Sequence, residues 1–270
     1  MPISDLPPPN KRLGQNFLID PNILRKIVSL AQLDLSNHVL EIGPGRGFLT
    51  EALCQAAGRV TAVEVDRRLH AYLKSRQARL PNVEFVCEDA LAYPVESLPM
   101  GTVVVANLPY YISTPLLFRL LDQRDRFPHM VLMLQNEVAD RLVAKPGGVD
   151  YGVLSVMAQY AAVITKAFRV SAQCFRPRPE VGSAVVLLRP KERTGLNQKE
   201  EAGFRALVKA AFAHRRKTLV NSLRDEGYEP HPLDEALQRL DIDPTRRAET
   251  LSIEEFIQLA LGVARAQESI

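Results

Sequence analysis

Residues 38–50 read HVLEIGPGRGFLT, and this short stretch decides the fold class. The run HVLEIG is apolar in the manner of a buried strand, whereas GFLTEALCQAA, which begins at Gly47, has the apolar spacing of a helix. Gly43, Gly45 and Gly47 join the two runs, and glycine lets the backbone turn tightly and approach a ligand closely. A glycine loop between a strand and a helix predicts an α/β fold with a nucleotide-like ligand at the end of the strand.

Strands and helices continue to alternate after this loop. Four further apolar runs predict strands: RVTAVEVD (59–66), VEFVCEDA (83–90), TVVVANLPYY (102–111) and HMVLMLQ (129–135). Helical patterns separate them, and this cadence predicts a doubly wound parallel sheet. The cadence changes after about residue 150, where ITKAFRV (164–170) and GSAVVLLRP (182–190) predict an antiparallel hairpin at the sheet edge.

The pattern divides the chain into three predicted parts. Residues 1–20 form a proline-led N-terminal arm, residues 21–192 the α/β domain, and residues 199–270 a small all-helical domain. The polar stretch KERTGLNQKEE (191–201) reads as the linker before the helical domain. The helical patterns after it cover 201–213, 216–226, 232–239 and 252–265.

Composition indicates a globular protein without a membrane span. Hydrophobic residues make up 46% and charged residues 24% of the 270 residues, which is ordinary for a soluble domain. No apolar run approaches the length of a membrane helix, and the N-terminus lacks the pattern of a signal peptide. The three cysteines (Cys54, Cys87 and Cys174) form no motif, which favours the reducing cytoplasm. The five histidines are dispersed, so no metal site is expected.

The basic residues cluster in one part of the chain. The net charge is only +3, yet the stretch RALVKAAFAHRRKTLVNSLR (205–224) contains six Arg and Lys residues and no acid. A solvated helix face would also account for this block. The local concentration favours a patch that binds phosphates.

The spacing around the glycine loop distinguishes between nucleotide-like cofactors. The dinucleotide fingerprint is G-x-G-x-x-G, whereas this chain has G-x-G-x-G with Glu41 two residues before the first glycine. This spacing resembles motif I of class I S-adenosylmethionine-dependent methyltransferases. Glu64, at the end of the next predicted strand, can accept hydrogen bonds from ribose hydroxyls. Asp89, at the end of the predicted strand 83–90, is placed to meet an adenine amine. The alternative is a plain tight turn with two solvent-facing acids.

The stretch ANLPYYIST (106–114) follows a predicted strand and suits methylation of a base amine. An exocyclic adenine amine is a poor nucleophile, because its lone pair is delocalised into the ring. The Asn107 side-chain oxygen and the Leu108 carbonyl can hold its hydrogens and favour a localised lone pair, while Pro109 stiffens the backbone. Tyr110 can stack on a flipped base, whereas Tyr111 is expected to pack.

Taken together, these motifs resemble the small-subunit ribosomal RNA adenine N6,N6-dimethyltransferases over nearly the whole chain. The matching pieces are KRLGQNFLID, VLEIGPGRGFLT, VEVD, EDAL, NLPYYISTPLL, MLQNEVADRLVAKPG, YGVLSV, FRPRPEVGSAVV and AFAHRRKTLVNSL. The resemblance implies a class I, Rossmann-like methyltransferase domain and a helical RNA-binding domain. It also implies transfer of two methyl groups from S-adenosylmethionine to each of two adjacent adenosines near the 3′ end of small-subunit rRNA, and a role in late subunit assembly. The expected partner is the small ribosomal subunit, and a monomer is the default expectation.

The resemblance also implies roles for individual residues. The cofactor contacts fall on Asn16, Leu18, Gly43, Glu64, Asp89 and Asn107. The target-adenine site falls on Asn107, Leu108, Pro109 and Tyr110, with Phe175 as a second stacking surface and Arg215, Arg216 and Lys217 on RNA phosphates. Gly182 and His214 depart from the family pattern, in which an acid and a Gln are more usual. They put only local RNA contacts in doubt.

Three other functions remain as alternatives. A large-subunit rRNA adenine methylase of the antibiotic-resistance type shares the glycine loop and an N-x-P-Y/F motif, but the match through YGVLSV, FRPRPEVGSAVV and RRKTLVNSL disfavours it. A non-catalytic RNA-binding assembly or transcription factor on the same fold need not keep the cofactor residues, which are all present here. A nicotinamide oxidoreductase would leave the glycine spacing and NLPY unexplained.

Overall fold

The computed structural model describes residues 7–10, 13–193 and 195–268, and these residues form nine strands and ten α-helices. The strands are β1 (Phe17–Leu18), β2 (His38–Ile42), β3 (Arg59–Val63), β4 (Val83–Val86), β5 (Val103–Asn107), β6 (Met130–Gln135), β7 (Ala162–Val170), β8 (Phe175–Arg176) and β9 (Ser183–Pro190). The helices are α1 (Pro21–Ala31), α2 (Phe48–Ala56), α3 (Arg67–Ser75), α4 (Ser113–Asp122), α5 (Asn136–Val143), α6 (Val153–Ala161), α7 (Gln198–Ala211), α8 (Leu219–Asp225), α9 (Pro230–Arg239) and α10 (Ile253–Glu268). None of the described helices is both long and apolar enough to cross a membrane.

The chain divides into two compact units. The sheet unit contains the described residues up to Ala139 together with Ala162–Pro190, and the helical unit contains Asp140–Ala161 and the described residues from Lys191 onward. The sequence-based division at 192–199 therefore differs from the structure in one segment. Asp140–Ala161 was predicted to belong to the α/β domain, but it packs with the C-terminal helices.

The sheet unit is built on a seven-stranded sheet with the order β4-β3-β2-β5-β6-β9-β7. Strands β2 to β6 are mutually parallel where they pair, and β9 is antiparallel to both β6 and β7. The predicted α/β sheet with an antiparallel edge hairpin is thus confirmed. The strand order reverses between β2 and β5, and in such sheets ligands bind beyond the strand ends at that switch point.

The central strands read as apolar runs because both faces of a parallel sheet are covered. Val39, Leu40, Val104 and Val105 are completely buried. Glu41 on β2 interrupts this pattern, although it is just as deeply buried, with 1% of its surface exposed. A carboxyl at such a position is energetically costly, so it marks a site rather than core packing.

The described part of the N-terminal arm is anchored in the sheet unit. Strand β1 pairs antiparallel with β8, and the Ile19 amide donates to the Cys174 carbonyl at 2.9 Å. Asp20 then caps α1, because its Oδ1 accepts from the amides of Asn22 and Ile23. Residues 1–6, 11 and 12 of the predicted arm lie outside the described residues.

Aromatic contacts explain why Asp140–Ala161 belongs to the helical unit. The Tyr160 ring lies 4.8 Å from the Phe204 ring on α7, and the Tyr151 hydroxyl donates to the Leu251 carbonyl at 3.0 Å. Phe212 contacts the rings of Tyr151 and Phe256. The four helical patterns predicted after residue 200 correspond to α7, α8, α9 and α10.

Candidate active site

A deep pocket of about 780 Å³, including its open mouth, lies at the carboxyl ends of β2, β3 and β5 in the sheet unit. Its walls come from residues 13–18 of the N-terminal arm, residues 43–46 of the glycine loop, Glu64 and Val65 after β3, and residues 107–111 after β5. Eight of the predicted site residues line it: Asn16, Leu18, Gly43, Glu64, Asn107, Leu108, Pro109 and Tyr110. The strand order therefore joins the glycine loop, the acid and the NLPY motif in one cavity.

The glycine loop has a backbone that other residues rarely adopt. The φ angles are +69° at Gly43, +59° at Gly45 and +82° at Gly47, all in the left-handed region. A Cβ added at Gly45 would lie 2.9 Å from the ring of Phe17, so the loop also needs glycine for its close approach to the N-terminal arm. Arg46 reaches over the same ring, with its guanidinium carbon 4.4 Å from the ring centre.

Glu64 is held by two backbone amides at the pocket wall. Oε2 accepts from the Gly45 amide at 3.0 Å, and Oε1 accepts from the Asp66 amide at 2.9 Å. Burial raises the pKa of this carboxyl, while the two amides oppose that shift. Each oxygen has a second lone pair, so the fixed carboxyl can still accept hydrogen bonds from a diol in the pocket.

Glu41 also reaches the pocket, and its Oε2 is buried without a hydrogen-bond partner. Burial raises its pKa to about 8, and the charge of Glu64 adds to this effect. The nearby Thr50 hydroxyl partly opposes this increase in the pKa of Glu41. Its oxygen nevertheless has no hydrogen bond of acceptable geometry among the described residues. The pocket therefore contains a buried carboxyl oxygen that no described protein group satisfies.

The NLPY turn presents two unused acceptors. The Asn107 Nδ2 donates to the Asn16 carbonyl at 3.4 Å, which connects the end of β5 to the N-terminal arm. Among the residues that the structure describes, neither the Asn107 Oδ1 nor the Leu108 carbonyl has a hydrogen-bond partner. Pro109 packs beside Gly43: a Cβ added at Gly43 would lie 3.6 Å from the proline ring. A planar amine with two hydrogens matches this pair of acceptors.

The two tyrosines of the motif have different environments. The Tyr110 hydroxyl makes a 2.9 Å hydrogen bond to Ser183 Oγ on β9, and burial raises its pKa. Tyr111 was expected to pack, but 53% of its surface is exposed and its ring lines the pocket. The pKa of Tyr111 is raised by partial burial and then by the carboxylates of Asp89 and Glu64. The expectation for Tyr111 was wrong, because the turn after β5 directs this side chain away from the core.

Two of the residues predicted to contact the cofactor or the target base do not line the pocket. Asp89 is exposed beyond β4, where its Oδ1 accepts from the Leu91 amide at 2.9 Å. Phe175 is fully buried on β8 and belongs to the hydrophobic core that includes Leu18 and Val170. The predicted stacking face of Phe175 is therefore covered, since the pairing of β1 with β8 places the ring inside the core.

The predicted phosphate contacts lie in the helical unit and are unequal. Lys217 forms an ion pair with Asp225 on α8, and His214 lies 3.1 Å from a Glu226 carboxylate oxygen. Arg215 and Arg216 are exposed, and no described residue pairs with either guanidinium. The two arginines are thus available for an anion, whereas the lysine already has a carboxylate partner.

The unusual glycine at position 182 has a local explanation. A Cβ there would lie 2.8 Å from the Asn136 side-chain nitrogen and 3.3 Å from the Val170 carbonyl. The Gly182 carbonyl accepts from the Asn136 amide at 3.0 Å. The space that a side chain would need is therefore taken by Asn136.

Sequence reasoning assigned no site role to Ser183, although a signal was present. It is the one hydroxyl in the β9 run SAVVLLRP and is completely buried, and a buried hydroxyl in an apolar strand requires a partner. The partner proved to be Tyr110, 73 residues earlier. No local pattern could have identified that pairing.

Comparisons with known proteins agree with this geometry. The family model of ribosomal RNA adenine dimethylases matches residues 8–264. The ribosomal RNA small subunit methyltransferase A of Moorella thermoacetica is 44% identical over 263 residues, which cover 93% of this chain and 91% of the relative. A dimethyladenosine transferase from Plasmodium falciparum has a similar structure, with a TM-score of 0.81, 31% identity, and coverage of 93% of this chain and 98% of that one. The 23S rRNA methyltransferase ErmE has a TM-score of 0.70 and 26% identity, covering 92% of this chain and 100% of that one.

Proposed function

The chain belongs to the ribosomal RNA adenine dimethylase family, and from this premise we propose that it dimethylates small-subunit rRNA. It transfers methyl groups from S-adenosylmethionine to N6 of two adjacent adenosines near the 3′ end, giving N6,N6-dimethyladenosine during late subunit biogenesis. The observation that carries the proposal is the pair of unused acceptors, Asn107 Oδ1 and the Leu108 carbonyl, in one pocket with the glycine loop. The proposal includes a cytoplasmic location and a working monomer.

The polar groups of the pocket fit the proposed cofactor. When bound, S-adenosylmethionine supplies an electrophilic methyl group on a sulfonium. The fixed Glu64 carboxyl would accept from the ribose hydroxyls, and the unpartnered Glu41 Oε2 offers a further buried polar atom. Asn16, Leu18 and Gly43 would contact the cofactor from the arm and the loop. Asp89 would have to act at the mouth, because it does not line the pocket wall.

The chain's own groups would act on the adenine amine by holding its hydrogens. Asn107 Oδ1 and the Leu108 carbonyl each accept one N–H, which localises the lone pair on nitrogen and directs it away from the ring plane. No strong base is required before transfer, since the amine becomes acidic only after it gains the methyl group and then loses a proton. Catalysis therefore depends on positioning and on fixed dipoles. Tyr110, held by Ser183, would stack on the base.

Affinity for the RNA would come largely from phosphates, with Arg215 and Arg216 as the principal contacts of the helical unit. Replacing both by Ala should weaken subunit binding and reduce the dependence of log Kd on log salt by about 1.4–1.8, or about 0.7–0.9 per lost contact. Lys217→Ala is the matched comparison. It should have a smaller effect, because Lys217 is paired with Asp225. An equal effect of Lys217→Ala would contradict this distinction.

The similarity to ErmE favours one alternative, methylation of large-subunit rRNA. A single assay separates the two. The protein is incubated with labelled S-adenosylmethionine and under-methylated small or large subunits, and the RNA is digested to nucleosides for mass analysis. N6,N6-dimethyladenosine from small subunits alone is the expected result, and Asn107→Ala, which removes one acceptor, should yield none while still binding subunits. Product from large subunits would support the alternative, and no product from either would overturn the proposal.

A further inference from the structure

A second concave surface lies in the sheet unit, away from the active pocket. It is an open groove of about 630 Å³, including its open mouth, between α1 and the β7–β9 hairpin. Its polar and aromatic walls are formed by Lys26, Ser29, Gln32, Phe168 and Arg189. None of these residues lines the active pocket, and no acidic side chain lines the groove among the described residues. We call this surface the basic groove.

The three elements that form the basic groove carry charge of one sign only. Helix α1, strand β7 and strand β9 contain five basic residues and no Asp or Glu. The basic residues are Arg25, Lys26, Lys166, Arg169 and Arg189. The chain as a whole is nearly balanced, with 34 basic and 31 acidic residues, so these three elements are locally basic. Of their cations, Lys26 and Arg189 line the groove itself. Helix α1 is far from the β7–β9 hairpin in sequence, which hides this arrangement of charges from a linear reading.

Among the described residues, no acid forms an ion pair with either cation at the groove wall. Lys26 and Arg189 are exposed, and the Lys26 Nζ lies 5.8 Å from the centre of the Phe168 ring. The charge of Lys26 acts on Asp20, but the Oδ1 of Asp20 already accepts from the amides at the start of α1. Arg25 donates to neutral groups of Asn22 and Pro21, so its charge also remains unbalanced.

Protection of a sheet edge explains only part of this pattern. Strand β7 is the edge strand, and cations on an edge strand discourage pairing with another chain. That reason covers Lys166 and Arg169. It does not cover Lys26, which lies on a helix, or Arg189, which lies on the interior strand β9. The two cations that line the groove therefore need another explanation.

We propose that the basic groove binds the phosphodiester backbone of the RNA substrate, as a contact of the sheet unit outside the active pocket. The inference rests on the proposed function, because that function supplies a large polyanion as substrate. Unpaired cations around an aromatic side chain are the chemistry that binds a nucleic-acid backbone, and the salt dependence of binding reports the number of such contacts. Lys26 and Arg189 are the two contacts that the groove geometry selects.

The test measures how salt affects binding of under-methylated small subunits by a Lys26→Ala/Arg189→Ala variant. Removing two phosphate contacts should reduce the slope of log Kd against log salt by about 1.4–1.8. Between about 50 and about 200 mM salt, the variant should then lose roughly tenfold less affinity than the wild type does. Circular dichroism checks that the variant is folded.

Lys74→Ala/Arg79→Ala is the matched control. It also removes one lysine and one arginine from the sheet unit, but from α3 and the turn after it, which pack near β4 at the opposite edge of the sheet. The control should bind with the wild-type slope. An unchanged slope in the groove variant, or an equal change in both variants, would overturn the proposal. Nucleoside analysis of the same samples separates this outcome from a failure of the proposed function, which would leave even the wild type without methylated product.

Discussion

Replacing Glu41 by glutamine should remove a large pH dependence from the stability of the sheet unit. The wild-type carboxyl is buried on β2, and burial raises its pKa from 4.5 to about 8. Between these two pH values the native protein keeps a proton that the unfolded chain has already lost. The free energy of unfolding therefore decreases as pH rises through this interval.

The magnitude follows from the single proton. One proton changes the free energy of unfolding by about 1.4 kcal/mol per pH unit. Over the full interval the loss is on the order of 5 kcal/mol, which is large beside the ~5–15 kcal/mol of a typical domain. The contribution of Glu41 to stability is greatest below the unfolded pKa of 4.5, and its loss is complete above about 8. Glu64, whose pKa is also raised by burial, contributes to wild type and variant alike.

The assay is urea unfolding followed by circular dichroism at a series of pH values between 5 and 9. The expected result is that the free energy of unfolding of the wild type, relative to that of Glu41→Gln, falls by about 1.4 kcal/mol per pH unit up to about pH 8. Glu180→Gln serves as the control, because it removes an exposed carboxyl from the same unit and should follow the wild-type curve. Parallel curves for wild type and Glu41→Gln would refute the assignment of the proton to Glu41.

Two further predictions concern how the pocket is held. Ser183→Ala removes the hydrogen bond to Tyr110 and should raise the activation free energy by about 1 kcal/mol, which is a roughly fivefold fall in kcat at unchanged KM for RNA. Ser183→Thr keeps a hydroxyl and should restore the rate. An equal change in KM would indicate a structural role only. Gly45→Ala adds a methyl group 2.9 Å from the Phe17 ring at a φ of +59°, so it should lower Tm and also weaken S-adenosylmethionine binding in calorimetry. Gly101→Ala is the control: its φ is +85°, but nothing lies within 4 Å of the added Cβ, so this variant should lower Tm without changing cofactor affinity. Normal cofactor affinity of Gly45→Ala would contradict the steric argument.

The sequence by itself determined the parts of this protein that depend on local pattern. Apolar runs of strand length alternate with helical spacing, so the sheet, its edge hairpin and the C-terminal helices were predictable. The glycine loop and NLPY were predictable as site elements because each directly follows a strand, and the carboxyl ends of parallel strands share one edge. Glu64 was predictable for the same reason.

Tertiary structure alone decided which of these local features meet. Ser183 supports Tyr110, and Asp140–Ala161 joins the helical unit, through contacts between residues far apart in the chain. Phe175 was expected at a surface and is buried, because burial depends on which strand covers a residue and not on its neighbours in sequence. The basic groove likewise collects its two cations from separated segments, Lys26 from α1 and Arg189 from β9. Side-chain periodicity is a local property, whereas pairing, burial and the field of a surface arise only when distant segments pack together.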